Sequence, residues 1–237
     1  MKTSNKIILA LGIIPFIVVL MMLFPLKSEL EKEIDSTIQD VDYSKYPVKT
    51  FDFTGFDEVE AKGNWEIDLS GGDQFNIELR ASDDAMEDVA VTLSEKKLML
   101  KTDKKSFTIF DKPRIKITMP TISRLNFEGH CNIKISNFKL PVMDIGVSGV
   151  ADITGTESAV EKLSLYGGGA VNLDFFEMPA TNAFFNFNGV YMMKLNMDGG
   201  ELSGMLNGPG SLVIEGNTSR DNIKTGGKTN IIYKSAP

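Results

Sequence analysis

Leu125-Asn-Phe-Glu-Gly129-His-Cys-Asn-Ile133 returns twenty residues later as Ile145-Gly-Val-Ser-Gly149-Val-Ala-Asp-Ile153. Working outward from this pair, glycines fall at Gly129, Gly149, Gly169, Gly189, Gly208 and Gly227, at spacings of 20, 20, 20, 19 and 19. Four residues after each comes Ile133, Ile153, Leu173, Met193, Leu212 and Ile231. Four before each comes Leu125, Ile145, Leu165, Phe185, Gly204 and Ile223, and two before comes Phe127, Val147, Gly167, Phe187, Leu206 and Thr225. The unit is apolar-x-apolar-x-Gly-x-x-x-apolar, used six times. A period near 20 with short strands predicts stacked coils, because one coil cannot bury its apolar face alone. Glycine at a constant offset predicts a corner with positive φ, or a close approach of the next coil.

Upstream the pattern is period-two alternation: Trp65-Glu-Ile-Asp-Leu69, Phe75-Asn-Ile-Glu-Leu79, Val89-Ala-Val-Thr-Leu93 and Ile115-Lys-Ile-Thr-Met119. Such alternation marks strands with one buried face. Ser94-Glu-Lys-Lys97 reads as a hairpin loop. Ser82 to Asp88 is the one plausible short helix, with Ser82 as its cap. Residues 48–237 are therefore expected to be all-β, a parallel β-solenoid with rungs of about 20 residues.

The 237 residues hold 32 acidic and 25 basic side chains, a net charge of −7. Residues 1–26 contain Lys2 and Lys6 and no acid, so residues 27–237 carry a net −9. That charge excludes a nucleic-acid partner, since phosphate neutralisation needs a basic face. One cysteine and one histidine exclude a disulfide framework and a Cys/His metal cluster within one chain. Ile7 to Leu26 is a run of 20 uncharged residues, long enough to cross a bilayer as a helix. Lys2 and Lys6 before it, with Glu29, Glu31, Glu33 and Asp35 after it, place the amino terminus in the cytoplasm and the rest outside. The expected organisation is a signal anchor or transmembrane helix over 1–26, a polar stalk over 27–47 and a β domain over 48–237. A cleavable signal peptide, with a secreted product, is the competing reading, although no small-x-small site follows the apolar run.

His130 and Cys131 are the adjacent pair that nucleophilic catalysis would call for. Neighbours in a strand point to opposite faces, however. Cys131 also takes the offset filled elsewhere by Ala151, Val171, Tyr191, Gly210 and Thr229, which is a packing position. The offset after it runs Asn132, Asp152, Asn172, Met192, Ser211 and Asn230. This stripe reads either as a structural amide ladder or as a polar ligand surface, the ladder being preferred. Arg80, Arg114, Arg124 and Arg220 do not share an offset. Phosphate-loop, Gly-x-Ser-x-Gly and His-Glu-x-x-His signatures are absent from the sequence. No catalytic, cofactor-binding or metal residue is assigned, and no cofactor is expected.

Phe51-Asp-Phe-Thr-Gly-Phe-Asp-Glu-Val-Glu-Ala-Lys-Gly-Asn-Trp-Glu-Ile-Asp-Leu69 resembles the opening of the head GIN domain family, a class of auto-transporter adhesin-like proteins. Phe75–Ala81, Leu98–Lys101, Ile115–Pro120 and Leu125–Gly129 continue the likeness in order, over about residues 48–235. The resemblance implies a right-handed parallel β-solenoid in a cell-envelope protein behind a signal or membrane segment. It supplies no catalytic residues. The expected function is a non-catalytic, membrane-anchored interaction module whose partner is an envelope protein or a glycan. A self-assembling structural protein is the second possibility. A carbohydrate-active enzyme is the third, and would require two carboxylates flanking a groove.

Overall fold

Alternation of the kind seen at Trp65–Leu69 puts every second side chain on one face, and that face must find a partner layer. The computed structural model describes residues 43–102 and 112–234. In it, thirteen strands form one sheet: β1 (Val48–Phe51), β2 (Glu58–Gly71), β3 (Asn76–Arg80), β4 (Val89–Ser94), β5 (Lys97–Thr102), β6 (Arg114–Met119) and β7 (Arg124–Ser136). The sheet continues with β8 (Lys139–Thr156), β9 (Ala159–Asp198), β10 (Glu201–Asn207), β11 (Gly210–Asn217), β12 (Arg220–Gly226) and β13 (Thr229–Tyr233). Among the described residues one α-helix, α1 (Asp83–Glu87), interrupts them, and a 3-10 turn at Tyr43–Lys45 precedes them. Ser82 caps it as expected, its Oγ accepting from the Ala85 N–H at 3.3 Å.

The all-β reading holds, but a right-handed parallel β-solenoid across 48–237 does not, because the sheet is mixed. β1 pairs antiparallel with β3, β3 antiparallel with β6, and β4 antiparallel with β5. The cause is connection length. Glu95 and Lys96 alone join β4 to β5, and Glu95 takes a positive φ of 55°. So short a link can only reverse the chain, whereas a parallel pair needs a crossover of a dozen or more residues. The expected membrane helix at 1–26 and the stalk residues 27–42 lie outside the described residues. Among the described residues no helix is long and apolar enough to cross a membrane.

The remaining ladders are parallel. β2 pairs with β7 from Glu58↔Arg124 to Ser70↔Ser136. β7 pairs with β8 twenty residues on (Gly129↔Gly149), and β8 with β9 likewise (Gly149↔Gly169). β10 and β11 lie on β9, and β12 and β13 on β10 and β11, in registers of 19, as in Leu202↔Ala183 and Gly210↔Thr229. Phe127, Cys131, Ile133, Val147, Ala151, Val171, Phe185, Phe187 and Tyr191 turn inward, and one cluster runs from Phe56 to Ile214. Trp65 is its largest fully buried side chain, and its indole N–H donates to the Lys62 carbonyl at 3.0 Å. β12 and β13 form the carboxy-terminal edge, where Lys224, Lys228 and Lys234 supply charge of the kind that blunts strand addition. Pro237 lies outside the described residues.

The glycine reading is met at Gly129 and Gly149, with φ of 115° and 137°. A β-carbon on Gly149 would collide with the Gly129 carbonyl oxygen, and one on Gly129 with that of Gly63. Gly63 thus opens the column, in register with Gly129.

Candidate functional site

His130 and Cys131 are separated by the strand pleat. His130 is exposed and Cys131 is fully buried, in register with Trp65 on one side and Ala151 on the other. Burial pushes the Cys131 thiol up to about 12, against smaller downward pulls from Lys112 and a backbone hydrogen bond from Trp65. Desolvation, then the Lys112 ammonium, holds the His130 imidazole below its usual range. A protonated, buried thiol facing away from its neighbour is no nucleophile, so the packing reading of Cys131 stands.

This arrangement carries a consequence for stability. An unfolded thiol ionises near 9 while the folded one keeps its proton to about 12. Between those values the folded state binds the extra proton, so stability present below pH 9 is lost as pH rises. Urea midpoints measured from pH 8 to 11 are expected to fall less steeply for Cys131→Ala than for the unaltered protein. Equal slopes would mean that the thiol is solvated in the native state.

Tyr43 anchors the start of the described chain. It is buried, and its hydroxyl donates to Glu66 Oε2 at 3.0 Å, with the Lys112 carbonyl at 3.2 Å. The Arg114 guanidinium lies 5.2 Å from the Tyr43 ring centroid and pairs with Asp68 at 2.7 Å. Burial, then the Glu66 carboxylate, raises the phenol well above its ordinary value. This is a structural clasp in which Arg114 neutralises Asp68 and lies 4.0 Å from Glu66. Arg80 faces Arg114 across β3 and β6 and donates to the Tyr43 carbonyl at 3.5 Å, whereas Arg124 pairs elsewhere, with Glu58 at 3.2 Å and Asp144 at 3.7 Å.

The outward stripe Asn132–Asp152–Asn172 is in register. Among the described residues one side-chain link joins it, from Asn172 Nδ2 to Asp152 Oδ1 at 3.1 Å. Beside it Val150, Val190 and Met192 are exposed, and together with His130 they border a shallow, mostly apolar groove.

A second groove lies on the other side of the glycine column. Register places Glu60, Asn126, Gly146 and Tyr166 in one row across four strands. Lys62, Glu128, Ser148 and Gly168 form the next row out. Gly146 leaves a gap in the first row, and the Asn126 side-chain oxygen leans over it. The resulting trough has a volume of about 300 Å³. Tyr166 forms one wall and meets the ring of Phe184 at 5.9 Å with a 48° tilt. At the other end the Lys62 ammonium sits 3.5 Å from Glu60 and 3.3 Å from Glu128. Lys97 donates to Glu60 at 2.8 Å and, with Lys62, holds that carboxyl below its usual range. Among the described residues no group of His, Cys, Asp and Glu is arranged to hold a metal ion.

Sequence reading missed this groove entirely. Tyr166 and Phe184 occupy outward offsets where local alternation gives no reason for an aromatic residue. The one signal available was their being apolar at positions that should be polar.

Residues 55–175 match the family described as "Putative auto-transporter adhesin, head GIN domain", and the chain belongs to that family. Among solved structures, a "putative adhesin" from Bacteroides fragilis NCTC 9343 superposes with a TM-score of 0.61 at 18% identity, over 80% of this chain and 97% of that one. A "putative adhesin" from Parabacteroides merdae ATCC 43184 gives 0.45 at 14% identity, over 80% and 96%. A "Putative lipid binding protein" from Parabacteroides distasonis ATCC 8503 gives 0.46 at 14% identity, over 78% and 96%. At 18% identity the first of these is a likeness of fold. No curated protein matches the chain.

Proposed function

We propose that this protein is a non-catalytic adhesion module of the cell envelope, held outside the cytoplasm by the apolar segment 7–26. The observation that carries the reading is the exposed apolar surface on both sides of the glycine column. Val150, Val190 and Met192 lie on one flank, and Tyr166, Phe184 and Met205 on the other. Large apolar side chains grouped on a solvent face mark interaction surfaces. Membership of an adhesin-like family is in keeping with this. The chemistry of the candidate residues supports a binding role as well. Cys131 is buried and protonated, and Glu60 is held ionised by two lysines, the reverse of a glycosidase acid, which needs a raised value.

The anchor rests on the 20 uncharged residues and their flanking charges. Protease added to intact cells is expected to remove a carboxy-terminal tag from the full chain if the outer membrane is absent or permeabilised. A tag protected until the inner membrane is lysed would overturn the location. For adhesion itself, beads coated with the full chain are expected to be retained on mucin-coated plates or on purified envelope fractions. Retention no greater than that of bare beads on both surfaces would refute the adhesion reading.

A further inference from the structure

We infer that the trough between Asn126 and Tyr166 is a carbohydrate site that takes a neutral pyranose unit of a glycan. It rests on the adhesion reading only in that a sugar-coated surface is what such a module would meet.

The shape comes first. Asn126, Gly146 and Tyr166 lie on successive strands of a parallel ladder, with glycine in the middle. Strands spaced about 4.8 Å apart put roughly 10 Å between the Asn126 and Tyr166 backbones. With no side chain at Gly146 that interval stays shallow; the Asn126 side-chain oxygen occupies its Gly146 side and leaves the part nearer Tyr166 open. Its volume of about 300 Å³ is at the lower end of small-ligand sites.

The chemistry follows from what lines the slot. Tyr166 is 40% exposed and offers a ring face at one end, braced by Phe184, also 40% exposed, further along β9. A pyranose has an apolar C–H face that stacks on such a ring, and a rim of hydroxyls that each donate and accept. Asn126 and Ser148 supply groups that also do both. Lys62 supplies donors and Glu128 acceptors, on exposed side chains that can turn toward a ligand. An anion fits poorly, because Lys62 is already bracketed by Glu60 and Glu128. A lipid tail also fits poorly. It needs an enclosed apolar cavity, whereas this trough is open and carries charge at one end, and the interior is filled by the buried cluster. The opposite flank, with Val150, Val190 and Met192, is mostly apolar, and the Tyr191 that lines it is only 3% exposed, so it is the weaker sugar site.

The test uses the full chain in a sugar-free detergent. The probes are cellobiose, N,N′-diacetylchitobiose and methyl α-D-mannoside, read by saturation-transfer NMR and calorimetry. At least one is expected to bind. Tyr166→Ala is expected to weaken that binding about tenfold or more, the loss of one aromatic stacking face. Asn126→Ala is expected to weaken it as well, while Val190→Ser on the other flank leaves it unchanged. Emission from the single tryptophan, Trp65, reports whether each variant is folded. If Tyr166→Ala is unfolded, Asn126→Ala decides. No binding of any of the three sugars overturns the inference, as does binding that Tyr166→Ala and Asn126→Ala leave intact. A dansyl fatty acid bound in place of the sugars, and lost in Tyr166→Ala, overturns it in favour of a lipid. Bead retention in which the groove variants match the unaltered chain defeats the sugar site and leaves adhesion standing. Sugar binding without bead retention does the reverse.

Discussion

Gly149→Ala is expected to lower stability by about 3–5 kcal/mol, among the largest effects a single methyl group can have here. Two costs combine at this position. The backbone has φ of 137°, a conformation alanine adopts only with strain. The new β-carbon would also meet the carbonyl oxygen of Gly129 on the preceding strand. That oxygen belongs to the parallel ladder between β7 and β8, so it cannot move aside without breaking hydrogen bonds. The two costs can be measured apart. Gly199 has φ of 81° and open space within 4 Å, so Gly199→Ala carries strain alone and is expected to cost about 1 kcal/mol. Gly189 lacks a positive φ, but its β-carbon would strike the Gly169 carbonyl, so Gly189→Ala carries collision alone. Thermal melts followed by far-ultraviolet circular dichroism should place Gly149→Ala lowest, about 10 °C or more below the unaltered protein. A Gly149→Ala melt no lower than that of Gly199→Ala would show that the column tolerates a methyl group and that the strands are less closely apposed.

Trp65→Ala is expected to cost a similar 3–5 kcal/mol for a different reason. The indole projects from β2 into the core, fully buried and in register with Cys131 of β7, and its removal leaves a void the packed sheet cannot close. It also leaves the Lys62 carbonyl without its donor. Trp65→Phe retains most of the volume and loses the N–H, so about 1–2 kcal/mol is expected. Guanidinium titrations followed by circular dichroism check both values. A loss under about 1 kcal/mol for Trp65→Ala would mean that the site collapses or hydrates freely.

Gly149 and Cys131 show how far local sequence reaches. Gly149 was legible because a glycine constrained in φ recurs at a constant offset from apolar neighbours, and that offset can be read along the chain. Cys131 was legible for the same reason, since Ala151 and Val171 hold its place in the next strands. Gly63 obeys the same rule, with Val59, Ala61 and Ile67 at the matching offsets. It escaped notice because 66 residues separate it from Gly129, the span that contains β3, α1, β4, β5 and β6. A search for constant spacing is blind to an insertion of that size.

Strand direction was misjudged because period-two alternation is identical in parallel and antiparallel pairs. The hairpin reading of Ser94–Lys97 had the direction of β4 and β5 right. For β1 and β3, and for β3 and β6, no short turn announces the reversal, and the pairing is settled by where distant segments meet. The groove was hidden on the same grounds. Glu60, Asn126, Gly146 and Tyr166 come from four strands, and nothing local relates them.

The sequence by itself determined the properties that depend on near neighbours. Those are the β character, the inward or outward sense of alternating residues, the cap at Ser82 and the glycines that recur at a constant spacing. Tertiary structure alone decided which strands run together, in which direction and in what register. Pairing energy is exchanged between residues 19, 20 or 66 positions apart, and a one-residue slip would send every side chain to the other face. The row that sets Tyr166 across a bare glycine from Asn126 exists only because that register was satisfied by the buried faces of the same strands.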